Sequence, residues 1–250
     1  MSRKQPKYLD DSDLYVQFEQ EELKAKILGF KNKPLSIIKI LPITENQKLV
    51  FDYYKHNYNL LLHGCAGTGK TFITIYLALK DVLDRKYSQL MIVRNVQSVR
   101  DLGFLPGTLD EKVKPLENPY HHMFYELFGF KDSFEMFRRR GTVEFQTTSY
   151  IRGITLNNTI VLVDECQNLN FHECDSLATR IGNNSKIIFC GDKNQTDLVG
   201  KEKNGILGFM DILKSMASFK CVEFGLEDIV RSGFVKEYLV AKEKLFKKIK

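Results

Sequence analysis

The sequence predicts an α/β fold built on a doubly wound, mainly parallel sheet. Three observations carry this. Short apolar runs at 59–63, 89–94, 143–147, 159–163, 186–190 and 219–224 alternate with stretches of helical periodicity. The stretch "GCAGTGKT", glycines alternating with small residues, joins the first run to a helix. Two later runs deliver acidic residues to their ends, in "VLVDE" and "IFCGD". Strands alternating with helices imply right-handed crossovers and a parallel sheet, whose ligand site lies at the carboxyl ends of the strands.

Residues 1–41 differ from the rest of the chain and read as an N-terminal extension. They hold a mixed-charge helical segment around "DLYVQFEQEELKAKIL", a loop "KNKP" and a β-branched run "LSIIKI". Residues 42–250 are expected to form the main domain. With 43% hydrophobic and 27% charged residues the chain can bury a core and still carry a charged surface. No apolar run approaches the roughly 20 residues of a membrane span, and the N-terminus lacks the apolar stretch of a secretory signal. Cys65, Cys166, Cys174, Cys190 and Cys221 are an odd number without a C-x-x-C pair, which points to a reducing, cytoplasmic compartment. Cys166, His172 and Cys174 match no standard zinc spacing and read as helix-face packing.

The first strand, "YNLLLHG", runs into Gly64-x-x-x-x-Gly69-Lys70-Thr71, and "KTFITIYLALKDVL" continues with helical spacing. Glycines let the backbone take positive φ and turn its N–H groups inward. Bare amides ahead of a helix N-terminus make an anion site. This is the P-loop pattern, in which the lysine reaches the β- and γ-phosphates and the hydroxyl ligates magnesium. The residues expected around the nucleotide are Gly64, Cys65, Ala66, Gly67, Thr68, Gly69, Lys70, Thr71 and Phe72.

In "TIVLVDECQNLN", the buried run 160–163 presents Asp164 and Glu165. An aspartate there can hold magnesium with Thr71, and the glutamate can polarise the attacking water. The competing reading is an acidic strand end capping the next helix, with Asn168 and Asn170 as further caps. "KIIFCGDKNQTDL" repeats the logic one strand later, where Gln195 can bond both the γ-phosphate and its water. At the C-terminus, Phe234, Tyr238, Ala241, Leu245 and Ile249 form one helical stripe among lysines. The stripe reads as an amphipathic helix packed on the core, or as a nucleic-acid contact; the net charge of +6 is compatible with a polyanionic partner.

The P-loop, "VDECQ" and "GDKNQ" in this order resemble the first core domain of superfamily-one helicases, a RecA-like P-loop NTPase fold. The fuller pattern resembles the PhoH-like ATPase family of bacteria and bacteriophages. It rests on "VRNVQSVRDLGFLPGTLDEKVKP", "YIRGITLNNTIVLVDECQNL", "ATRIGNNSKIIFCGDKNQTDL" and "EDIVRSGFVKEYLVA", and covers roughly residues 42–245. The resemblance implies further roles. Gln47 in "ITENQ" would read the adenine, with Tyr54 or Tyr58 stacking; the loop holding Arg94 and Arg100 would contact nucleic acid; Arg180 and Arg231 are candidates to reach a γ-phosphate. Three departures stand out: Asn95 where the family has proline, "IRGIT" for "RGRT", and "DECQ" for "DEAQ". The first two weaken the expectation of nucleic-acid binding.

The function expected is ATP hydrolysis with magnesium: Lys70 on the phosphates, Thr71 and Asp164 on the metal, Glu165 as base and Gln195 as sensor. Single-stranded RNA or DNA is the expected further partner, and the cytoplasm (of a host, if phage-encoded) the expected location. One chain lacks room for a second motor domain; Arg231 either reaches its own nucleotide or is presented by a neighbour, and a homo-oligomeric ring, a hexamer by preference, is expected partly on the resemblance. The alternatives are a low-turnover nucleotide switch or scaffold, a helicase, and a small-molecule kinase with "FRRRG" as its only lid candidate.

Overall fold

Strands form at all six apolar runs: β1 (Asn59–Gly64), β2 (Gln89–Arg94), β3 (Val143–Thr147), β4 (Thr159–Val163), β5 (Lys186–Gly191) and β6 (Phe219–Phe224). β1 and β5 each continue one residue beyond the expected end. The helices are α1 (Glu45–Lys55), α2 (Lys70–Leu83), α3 (Leu109–Phe128), α4 (Ser133–Arg139), α5 (Phe171–Ala178), α6 (Gly200–Ser215) and α7 (Gly233–Ile249). The computed structural model describes residues 35–95, 109–148, 151, 153–192, 195 and 200–249. The expected N-terminal helical segment, Arg100 and "GFLPG" lie outside the described residues.

The strands make one sheet in the order β3-β2-β4-β5-β1-β6, and all five pairings are parallel. This is the doubly wound parallel α/β arrangement that the alternation of strands and helices predicts. β1 and β4 are not neighbours: β5 runs between them, so their carboxyl ends stand roughly 10 Å apart, two strand spacings.

Both faces of the sheet are covered, and the period of 2 explains how. Leu61, Met91, Val93, Val161, Val163, Ile187 and Phe189 share a core cluster with Cys174 and Leu177 of α5 and with Ile206, Phe209, Met210 and Leu213 of α6. The alternate residues Leu60, Leu62, Leu90, Ile92, Ile160, Leu162 and Ile188 are fully buried on the other face, where α2 contacts β2, β4 and β5. The β-branched run at 35–40 forms no helix or strand; within it, Ile38 N–H donates to Leu127 O at 3.0 Å.

The C-terminal helix departs from expectation. Phe234 (80%), Tyr238 (59%) and Leu245 (59%) are exposed, so the apolar stripe of α7 does not pack on the core of the chain. The contact instead comes from the flank, through Leu239 beside Gly67.

Candidate functional site

The loop after β1 is shaped by its neighbours as well as by its glycines. Gly64 (φ +118) ends β1 against β6, where a Cβ would meet Phe224 O at 2.2 Å. No side chain fits there. Gly69 takes the left-handed conformation (φ 81) and caps α2. Thr68 is fully buried, and its hydroxyl donates to Cys65 O at 3.0 Å. The Lys70 ammonium is held inside the loop, donating to Gly64 O at 2.9 Å and Cys65 O at 2.7 Å, with the Thr68 hydroxyl at 3.3 Å.

Thr71 stands in the first turn of α2, and its hydroxyl donates to Asp164 Oδ1 at 2.8 Å. The other oxygen, Oδ2, accepts the Tyr120 hydroxyl at 2.8 Å. Burial raises the Asp164 carboxyl above its ordinary pKa and Glu165 adds to this, while the bonds from Thr71 and Tyr120 and the Arg94 charge oppose them. A divalent cation would favour the same ionised form. The donor set, a hydroxyl and a carboxylate beside a phosphate-type loop, fits magnesium, which takes few protein ligands and keeps its waters.

Glu165 is held in an unusual backbone state, φ 52 and ψ 40, which L-residues other than Asn and Asp seldom adopt. Gln167 braces it: Nε2 donates to Glu165 Oε2 at 2.6 Å, while Oε1 accepts Asp192 N–H at 2.9 Å. Gln195 is exposed, and its Nε2 donates to Asp192 Oδ2 at 2.8 Å. A continuous hydrogen-bonded chain therefore runs from Glu165 at the end of β4 to Gln195 beyond β5. Of the capping reading, Asn170 does cap α5, in a capping box with Glu173; Glu165 stands at the N-cap position of the 3-10 turn Cys166–Asn168, but its side chain makes no capping bond there.

Gln47 is buried against the back of the loop. Its Nε2 donates to Thr68 O at 3.0 Å and its Oε1 accepts Ile43 N–H at 2.9 Å. Tyr54 and Tyr58 do not join it, which corrects the stacking expectation. α1 runs antiparallel to β1, so both tyrosines lie at the amino ends of the strands. The Tyr54 hydroxyl donates to Leu77 O, and its ring lies under Lys186, 3.8 Å from the ammonium. Tyr58 pairs with Tyr53 and Lys220.

The two arginines nominated for the γ-phosphate part company. Arg180 comes after α5, which returns from the carboxyl to the amino ends of the sheet. Its carbonyl accepts Leu156 N–H at 2.8 Å, ahead of β4. A five-residue strand then separates it from Asp164 by roughly 16 Å, so Arg180 is not part of this site. Arg231 is. A Cβ built on Gly67 would lie 2.9 Å from Arg231 Cγ and 3.8 Å from its Nε, and Val230 N–H donates to Gly67 O at 3.0 Å. Arg231 thus lies over the loop of its own chain, the one of the two placements, own chain or neighbour, that the sequence left open. Arg94, placed by resemblance in a nucleic-acid loop, sits close enough to Asp164 and Tyr120 for its charge to act on both.

Two functional candidates escaped sequence reasoning. Tyr120 falls in an aromatic helical stripe with Phe124 that reads as core, and nothing marks its hydroxyl. Gln167 stands in "DECQ", two residues from Glu165, with no local sign of what it bonds. Asn95, the departure from proline, has a structural use: its amide donates to Asn168 O at 2.7 Å, tying β2 to the turn after Glu165. Elsewhere, Glu117, His121 and Glu135 bring three metal-ligating atoms within 4.8 Å of one another, but Arg138 already pairs with Glu117 at 3.0 Å and Glu135 at 3.7 Å. Cys166 and Cys174 are buried free thiols, whereas His172, grouped with them in sequence, is exposed. No helix among the described residues is long and apolar enough to cross a membrane.

A family model described as PhoH-like protein matches residues 39–243. A PhoH-like protein of Synechocystis is 33% identical over 233 residues, covering 93% of this chain and 70% of its own length. A PhoH-like protein of Mycobacterium tuberculosis is 32% identical over 222 residues, 88% of this chain and 61% of its own. The chain spans 58% of the Mycobacterium leprae relative and 51% of the Escherichia coli Protein PhoH. Among solved structures, the large terminase of a thermophilic bacteriophage in complex with ADP aligns at a TM-score of 0.46 and 16% identity, over 79% of this chain and 49% of its own.

Proposed function

This chain belongs to the PhoH-like protein family, and from that premise we propose that it binds and hydrolyses ATP with magnesium. One observation carries the reading: the Thr71 hydroxyl on α2 and the Asp164 carboxylate at the end of β4, 93 residues apart in sequence, meet at 2.8 Å beside the loop that holds Lys70. A phosphate cradle and a metal carboxylate so joined are what phosphoryl transfer to water requires.

In this reading the loop amides and Lys70 take the β- and γ-phosphates, the ammonium exchanging loop carbonyls for phosphate oxygens. Magnesium, held by Thr71 and Asp164, would neutralise charge developing on those oxygens. Glu165, aimed by Gln167, orients the attacking water and accepts its proton. Gln195 at the end of the hydrogen-bonded chain reports the γ-phosphate, and Arg231 contributes positive charge over the loop in cis. Gln47, through Thr68 O, sets the loop's position and faces the base side. The net charge of +6 and Arg94 support a single-stranded RNA or DNA partner as the further part of this proposal. A ring remains part of it on family resemblance alone, since an arginine in cis removes the need for a donated one.

The test is turnover and nucleotide affinity in two variants. Lys70→Ala is expected to lose both, because it removes the cation opposite two phosphates. Glu165→Gln is expected to bind ATP and retain it, with turnover reduced about 10²–10⁴-fold, the usual range for one acid–base group. Equal loss of affinity in both variants overturns the assignment.

A further inference from the structure

Tyr120 occupies a position where a phenylalanine would satisfy the packing. It is fully buried on α3, with its ring 5.5 Å from that of Phe145, and Phe124 one turn later is equally buried. A hydroxyl in such a place is strongly disfavoured if left unpaired, so its partner defines its use. That partner is Asp164 Oδ2 at 2.8 Å.

The consequence lies in the carboxylate's orientation. The terminal torsion of an aspartate is broad and two-fold, so one hydrogen bond leaves the plane free to swing. Here Thr71 donates to Oδ1 and Tyr120 to Oδ2, from different elements. Two anchored oxygens fix the plane, and each keeps a lone pair in a defined direction. Thr71 does not do this alone, because its hydroxyl donates a single hydrogen bond, to Oδ1, and one such bond leaves the two-fold torsion free.

Resting on that reading, we propose that Tyr120 is a positioning residue of the magnesium site, fixing the Asp164 carboxylate so that its remaining lone pairs face the metal and its waters. α3, which lies in the crossover from β2 to β3, thereby supports the metal site through Asp164.

The variant is Tyr120→Phe, which keeps the ring. Affinity for a fluorescent ADP analogue is measured in EDTA and across a magnesium titration, and ATP turnover across the same titration. The expected result is an unchanged metal-free affinity with the half-saturating magnesium concentration raised about tenfold, the scale of one hydrogen bond to a charged group. Phe124→Leu, a packing change on the same helix, is expected to lower thermal stability without moving the magnesium midpoint. An unmoved midpoint in Tyr120→Phe overturns the proposal, as does an equal loss of metal-free affinity or failure of that variant to fold, each of which makes the hydroxyl merely structural. If the wild type itself shows no magnesium dependence, the metal reading fails and the proposal with it; if only the variant's shift is missing, the metal reading stands.

Discussion

Gln167 holds Glu165 from one side of its amide and the backbone of Asp192 from the other, at 2.6 and 2.9 Å. The brace spans two adjacent strand ends, so the orientation of the proposed base depends on how β4 and β5 are set against each other. Gly191 leaves room for it, since a Cβ there would meet Gln167 Oε1 at 2.5 Å.

Gln167→Leu is therefore expected to lower kcat on the order of 10- to 100-fold, the scale of a misplaced reacting group, with ATP affinity nearly unchanged. Steady-state kinetics with a parallel binding titration checks this. Wild-type turnover in that variant would mean that Glu165 is oriented without the brace.

Arg231→Ala is expected to lose turnover in its own active site. An arginine that stabilises the γ-phosphate is worth about 10³–10⁵ in rate, which sets the upper bound. Because Arg231 lies over Gly67 of the same chain, mixing Arg231→Ala subunits with Lys70→Ala subunits is expected to give no recovery of activity. Recovery in exchanging subunits would show that the arginine acts across an interface.

Gly64→Ala separates folding from phosphate contact. The added methyl would lie 2.2 Å from Phe224 O, on a backbone at φ +118, and neither side is a flexible side chain. A loss of at least about 2 kcal/mol is expected in chemical unfolding, as for overpacking against backbone. Gly129→Ala is the control, because nothing lies within 4 Å of its Cβ and only the positive φ costs about 1–2 kcal/mol. Equal effects at the two positions would refute the packing argument for Gly64.

Lys186 predicts a pH dependence. Burial lowers its ammonium pKa to about 8, against a favourable Asp81 charge, while its Nζ donates to Tyr54 O at 2.9 Å. The unfolded lysine titrates near 10.5, so between these values the unfolded chain binds more protons and stability rises with pH. Below about pH 8 both states are protonated, and the full cost of burying the charge remains. Urea midpoints of the wild type and Lys186→Met at pH 7 and 9.5 are expected to shift relative to each other in the wild type's favour at the higher pH. A pH-independent difference would mean that the ammonium stays hydrated in the fold.

The six strands, the parallel sheet they build, and the loop from Gly64 to Thr71 were legible in the order of residues alone. So was the delivery of Asp164, Glu165 and Asp192 to strand ends. These are local consequences: a run such as Ile160–Val163 is apolar because it is buried on both faces, and "GCAGTGKT" is bare because its backbone needs positive φ. The remainder was settled by contacts in three dimensions. Arg180 and Arg231 both stand in short polar segments and look alike as candidates, yet one crossover carries Arg180 to the amino ends of the sheet while the chain beyond β6 folds Arg231 back over Gly67. Tyr120 and Phe124 look alike as core aromatics, and only the packing of α3 on the sheet brings one hydroxyl to Asp164. Periodicity reports whether a segment is buried; which end of the sheet a residue reaches, and which polar atom it meets there, depends on the strand order and on contacts between residues far apart in the chain.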